Sequence, residues 1–347
     1  MFSDSFILYS SFFSMKKLYL SLLFTLAVIV SVAAQWQPDI LGDGYEMRYV
    51  EQPDDYQGKV RSTVIRKKSP CGGKTGVLYI HGYNDYFFQK DMGDRFIDSC
   101  YQFYAVDLRK YGRSILPGQK KFDARDMKEY FADIDSAVSI MKHDGVDRII
   151  LMGHSTGGLT SSYYLNNRND SSIVALMLNS PFLEWNFNGF MRDFLIPTVG
   201  GIGRALPNMA FSQGNNSGYA ESLLKQYHGE WDYNTDWKVV RPEKARAGWL
   251  GAVTRAQNYL HKKSDIKVPV LLMHSDSSYT ADHWTPEYQH NDVVLNIKDI
   301  SKYGRRLGRD VTEVTVDDGI HDLVLSRPDV REEVYDSIFG WLRREGL

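Results

Sequence analysis

Residues 148–158 read RIILMGHSTGG: a short apolar run ends on a glycine, a serine stands between a histidine and a threonine, and two more glycines follow. The frame Gly153, His154, Ser155, Thr156, Gly157, set after a strand-like run and before the helix-compatible stretch 158–168, is the signature of a strand-turn-helix nucleophile elbow. The backbone of such a turn is so crowded that only glycine fits at the flanking positions, and the turn lifts the serine hydroxyl above the sheet. An ordinary glycine-rich turn is the alternative, and the placement after RIILM argues against it.

The chain around the elbow alternates. Short runs rich in Val, Ile, Leu and Tyr at 60–65, 77–80, 103–106, 149–152, 173–178, 270–273 and 311–316 read as strands. Helix-compatible segments at 91–99, 127–143, 158–168 and 329–344 fall between or after them. This rhythm predicts an α/β fold, a mainly parallel sheet covered on both faces by helices. It breaks between 182 and 265, where no strand candidate occurs but aromatics crowd, among them Trp185, Phe187, Phe211, Tyr219, Trp237 and Trp249. The expected organisation is one domain, its core built from 35–181 and 266–347, with 182–265 inserted as a helical cap. With 347 residues, 43% of them hydrophobic, the chain is large enough for one substantial core. A formal net charge of -2 offers no reason to expect a polyanionic partner, and nucleic acid is set aside.

Residues 1–34 stand outside that core. Met15-Lys16-Lys17 precedes LYLSLLFTLAVIVSVAA at 18–34, a basic start followed by an apolar run ending in small residues, which reads as a secretory signal peptide. An uncleaved membrane anchor is the alternative, since the run is close to the shortest that spans a bilayer; membrane contact is then through the leader alone. Residues 1–14 lie upstream of the more natural start at Met15 and are consistent with a mis-assigned start. The expected location is periplasmic or secreted. In such an oxidising compartment the two cysteines, Cys71 and Cys100, each a few residues before a strand candidate, either form a disulfide or remain two thiols.

A serine hydroxyl is a poor nucleophile at neutral pH and needs a histidine base oriented by a carboxylate, in the chain order Ser, acid, His. Of nine histidines, His321 in DGIHD follows the last strand candidate, where the base belongs. For the acid, Asp292 in HNDVVLN is preferred, with Asp276 in MHSDSS the alternative and Asp282 a distant third. After the strand VLYI comes HGYND (81–85), a loop placed to lend a backbone N–H to an oxyanion hole formed by the amides of Tyr83 and Thr156, with Gly82 keeping the approach open.

Taken together, HGYND, DLRKYGRS (107–114), GHSTGG and GIHD resemble the α/β-hydrolase superfamily, and within it the branch of monoacylglycerol lipases, lysophospholipase-like hydrolases and serine aminopeptidases. The resemblance runs from about Tyr45 to the C-terminus. It implies Ser155 as nucleophile, His321 as base, an acid at Asp292 and oxyanion amides at Tyr83 and Thr156. The sequence departs from the family between Met273 and Asp292, since the family usually places its acid soon after the strand.

His274, Asp276, Asp282, His283, His290 and Asp292 also gather in one stretch, but no H-x-x-x-H spacing or distal pair accompanies them, so no metal is expected. The chemistry calls for no cofactor. An aromatic cap over the elbow suits an acyl chain, and the leading reading is a secreted serine esterase acting on a monoacylglycerol or lysophospholipid. A serine aminopeptidase of the same fold would require a cap carboxylate such as Glu184 or Glu230 to meet the substrate amine. A non-catalytic binding protein on a hydrolase scaffold is the third reading.

Overall fold

The structure, a computed structural model, describes residues 35–187, 189–212, 216–241 and 243–347; the leader at 1–34 lies outside the described residues. An antiparallel start, β1 (Gln37–Pro38), β2 (Glu46–Asp55) and β3 (Gly58–Lys67), leads into β4 (Thr75–Ile80), α1 (Lys90–Asp98), β5 (Gln102–Asp107), α2 (Phe131–His143), β6 (Arg148–His154), α3 (Thr156–Leu165) and β7 (Ile173–Asn179). After β7 come α4 (Ile196–Ile202), β8 (Ala210–Phe211), α5 (Gly218–Leu223), β9 (Ala245–Arg246) and α6 (Ala247–Lys263). The chain closes with β10 (Val270–Ser275), α7 (Ile297–Gly304), β11 (Val311–Val316) and α8 (Pro328–Arg344).

Nine strands form one sheet in the order β1-β2-β3-β5-β4-β6-β7-β10-β11. The pairings from β5 to β11 are all parallel, and those of β1, β2 and β3 are antiparallel. The inner parallel strands β4, β5, β6, β7 and β10 are buried on both faces, which is why each reads as a largely apolar run, whereas β11 at the edge is only partly buried. Alternation then sorts their side chains. Leu78, Ile80, Ile149 and Leu151 pack with residues of α2, α3 and α6 on one face, while Val77, Tyr79, Ile150 and Met152 pack with residues of α1 and α8 on the other.

The seven expected strands and four expected helices all lie within or against these elements. The differences fall at the edges. β2, with sequence EMRYVEQPDD, is nowhere fully buried and contains a proline, so it has no apolar run to betray it. Within 182–265 the two-residue strands β8 and β9 pair with each other and not with the main sheet.

Cys71 and Cys100 form a disulfide with Cα atoms 5.4 Å apart. It ties together the segments that enter the neighbouring parallel strands β4 and β5. No helix among the described residues is long and apolar enough to cross a membrane.

Candidate active site

β6 delivers the chain to Ser155 at the C-terminal edge of the sheet, and α3 begins at the next residue. Ser155 has φ 52° and ψ -119°, a conformation costly for a residue with a Cβ and held only where the surroundings enforce it. They do so through close packing: a Cβ on Gly157 would sit 2.1 Å from Ile80 O, and one on Gly153 would sit 2.6 Å from Gly157 O. Gly82 faces the serine from the loop after β4, where a Cβ would come within 3.1 Å of Ser155 Cβ.

Around that turn three side chains join in a line. Ser155 Oγ lies 3.0 Å from His321 Nε2, and His321 Nδ1 lies 2.9 Å from Asp292 Oδ2. A carboxylate only accepts, so Nδ1 carries the proton and Nε2 is left to accept from the serine hydroxyl. All three are buried, Asp292 completely. The second oxygen of Asp292 accepts from the amides of Val294 and Leu295, each at 2.8 Å, which fixes the carboxylate plane. Backbone bonds from Asp292 N to Ser277 O and from Tyr279 N to Asp292 O fold the long 276–292 stretch back beside the end of β10.

Asp276 is elsewhere. It is exposed and accepts from Asp318 N at 3.1 Å, supporting the loop that leads to His321 without reaching the ring. Other members of the His/Asp-rich stretch bind separate partners: His274 meets Glu313, and His290 meets Arg327 and Asp318.

Tyr83, on the loop after β4, and Thr156, the first residue of α3, line the same cavity as Ser155. Thr156 N belongs to the first turn of α3, where an amide has no acceptor within its own helix and the helix dipole favours negative charge. The Tyr83 ring packs on Trp249, with centroids 4.3 Å apart, and on Phe122.

Beneath the line lies a polar layer that sequence reasoning did not find. Asn179, fully buried at the end of β7, accepts through its backbone oxygen from Ser155 N at 3.0 Å, and the same oxygen lies 3.1 Å from His154 Nδ1. Its side chain donates to Asp322 at 2.7 Å and accepts from Leu323 N at 3.1 Å, so one residue joins the serine turn to the histidine loop. Gln89 donates to the same Asp322 carboxylate. The signal in sequence was a lone polar residue closing the apolar run IVALMLN, which the strand reading stopped short of.

His154 stands against His321, with ring centroids 4.9 Å apart. Burial pushes its pKa below the ordinary value, and the charge of Asp322 only partly opposes that. Asp85, His154 and Asp322 bring possible ligand atoms within 4.8 Å of one another. The positive charge there is already supplied by Lys238, whose ammonium donates to Asp85 at 2.8 Å. Burial pushes the Asp85 carboxyl up, but Lys238, helped by His154 and His81, more than reverses this and leaves it below the ordinary carboxylate value.

The serine opens into a cavity of about 670 Å³. One arm is apolar, walled by Phe182, Trp185, Ile196, Phe211, Trp249 and Leu295; the other end is polar, with Asn84, Asp85, Tyr219 and Lys238. The segment 182–265 thus supplies most of the apolar wall.

Residues 73–325 match the family model described as serine aminopeptidase, S33. Among solved structures, the chain is similar to a monoacylglycerol lipase of Paleococcus ferrophilus, with 20% identity over 81% of this chain and 98% of that one, at a TM-score of 0.59. It is also similar to a soluble variant of the monoglyceride lipase of Saccharomyces cerevisiae in complex with a substrate analog, with 17% identity, coverage of 90% and 99%, and a TM-score of 0.64. A thermostable carboxyl esterase of Bacillus coagulans in complex with glycerol gives 13% identity, coverage of 87% and 99%, and a TM-score of 0.61. At these identities the likeness is one of fold. No curated protein sequence matches the chain.

Proposed function

The chain belongs to the serine aminopeptidase S33 family of α/β hydrolases and is a serine hydrolase; from that premise we propose that it cleaves carboxylic esters of lipid type, such as a monoacylglycerol or a lysophospholipid. The observation that carries the reading is the Ser155, His321, Asp292 line opening onto the apolar arm of the cavity.

In this reading His321 Nε2 takes the proton as Ser155 Oγ forms a bond to the ester carbonyl carbon, and Asp292 stabilises the imidazolium. The carbonyl electrons move onto oxygen, where the Tyr83 and Thr156 amides receive the charge. Collapse breaks the bond to the alcohol, which leaves with the proton returned by His321. Water then attacks the acyl-serine by the same sequence, releasing the acid and restoring Ser155. The apolar arm accepts the acyl chain; each buried methylene adds about 0.8 kcal/mol.

The aminopeptidase alternative needs a carboxylate free to hold an ammonium group. Glu184 accepts from the amide of its neighbour Trp185, and Glu230 pairs with Arg331. Among the described residues that line the cavity Asp85 is the only carboxylate, and Lys238 occupies it. The structural relatives named as lipases and as a carboxyl esterase accord with the ester reading. Export through the leader at 18–34 belongs to the same proposal, and the Cys71–Cys100 disulfide supports it, since such bonds persist in oxidising compartments.

The test is hydrolysis of p-nitrophenyl esters from acetate to palmitate by the mature protein, beside Ser155→Ala and a panel of aminoacyl amides. The expected result is ester turnover whose kcat/KM rises with chain length and falls about a millionfold in kcat without Ser155. Amide turnover alone would replace this reading with the peptidase; turnover that survives Ser155→Ala would overturn it altogether.

A further inference from the structure

The loop that carries the Tyr83 amide also grips a segment more than one hundred residues away in sequence. Asn84 has φ 49°, in the left-handed region that asparagine tolerates better than most residues. This turns its carboxamide onto the backbone of Val239, so that Oδ1 accepts from Val239 N at 2.8 Å and Nδ2 donates to Val239 O at 2.9 Å. Asp85 accepts from Lys238 at 2.8 Å, and both side chains are buried. The Tyr86 hydroxyl accepts from Asn234 N at 2.7 Å, and the rings of Tyr86 and Trp237 meet edge to face. Three consecutive residues thus hold the segment 234–239.

Both ends of this loop are tied to the sheet. His81 Nε2 accepts from Leu108 N at 3.1 Å, and the Asp107 carboxylate accepts from Phe87 N at 2.9 Å. Between those ties lie Gly82, Tyr83, Asn84, Asp85 and Tyr86, restrained by the segment that the last three grip. The buried ion pair makes the grip close to all-or-none. Lys238 Nζ sits near the rings of Phe88, Tyr219 and Tyr233, and withdrawing either partner leaves the other a buried charge without its counter-ion.

We propose that Asn84 and Asp85 are positioning residues that lock the 234–239 segment onto the oxyanion loop, so that the Tyr83 amide is aimed at the developing oxyanion only while that segment is docked. The proposal rests on the esterase reading, which gives the Tyr83 amide its task. Seating the roof and completing the charge-stabilising site are then one event, the structural form of an induced fit.

Asn84→Gly tests this, because glycine accepts the left-handed backbone while removing both hydrogen bonds. With p-nitrophenyl butyrate the expected result is a fall in kcat of about tenfold to a hundredfold, approaching the loss of an oxyanion donor, with KM changed by less than about threefold; Asn84→Asp, which keeps the acceptor for Val239 N, should recover part of kcat. In the same variants, amide hydrogen exchange of 234–239 should quicken. Lys238→Met, made on the far side of the grip, should quicken exchange in 81–86. A rise in KM alone would make Asn84 a substrate contact, and faster exchange with unchanged kcat would uncouple roof from oxyanion loop; either overturns the proposal. If the wild-type chain turns over no ester, the esterase reading fails, and exchange in 81–86 of Lys238→Met still judges the grip: no change there sinks it.

Discussion

Ser155, Asn179, Asp292 and His321 are each at least nine-tenths buried and joined by hydrogen bonds of 2.9–3.0 Å, whereas Phe190 and Phe194 on the overlying segment are 69% and 62% exposed. The floor of the site is held by directional bonds between residues of β6, β7 and the loops after β10 and β11. The roof meets the floor through apolar side chains and through bonds along its rim, among them the grip of Asn84 and Asp85 on Val239 and Lys238, Trp231 Nε1 to Leu325 O and Gln289 Nε2 to Ser222 O. The contrast follows from what each must do. Proton transfer between serine and histidine demands atoms within hydrogen-bond reach, and only a bonded, buried frame holds them there. An acyl chain needs volume and dryness, which non-directional contacts supply across a range of shapes.

The comparison is most exposed at the acid. Asp292→Asn should lower kcat by about three to four orders of magnitude, because the amide no longer holds His321 in the required tautomer, while Asp276→Asn should stay within a few-fold. Steady-state kinetics on one short ester decides it, and equal losses at both positions would mean that the floor is not organised around Asp292.

A smaller effect is expected at the disulfide, which precedes the N-terminal ends of β4 and β5, while the serine follows the C-terminal end of the parallel neighbour β6. Replacing Cys71 and Cys100 by serine should cost about 3 kcal/mol of unfolding free energy, from the loop-closure entropy returned to the unfolded chain, with kcat on a short ester unchanged at low temperature. Urea unfolding measures the first, and reduction of the native protein should add the mass of two hydrogens. A fall in kcat would show that strand entry and floor are coupled.

The smallest effect belongs to the roof surface. Phe194→Ser should change stability by no more than about 0.5 kcal/mol, as for a largely exposed residue whose ring stacks on the similarly exposed Phe190, and leave short-ester turnover alone. A clear drop in the urea midpoint would place that part of the roof within the core and weaken the contrast.

Particular residues show how much could be read in advance. The elbow was legible because it is local: steric crowding demands glycine at 153 and 157, and those residues appear in the sequence between a strand pattern and a helix pattern. The inner parallel strands were legible because burial on both faces writes an apolar run. β2 was not, because an edge strand exposed along its length has no such pattern, and Asn179 was not, because a polar residue at a strand end looks the same whether it joins two catalytic loops or faces water. Lys238 gave no sign either, since lysines are ordinary on surfaces and its burial depends on Asp85, a residue more than one hundred and fifty positions away.

By itself, then, the sequence determined the α/β alternation, the serine turn and the histidine that follows the last strand, since periodicity and glycine sterics act over a few residues at a time. The tertiary structure alone decided that Asp292 and not Asp276 meets His321, that Cys71 and Cys100 are joined, and that the 81–86 loop grips the segment 234–239. Each of these depends on which distant segments the folded sheet brings within a few ångströms, and no local pattern encodes that distance.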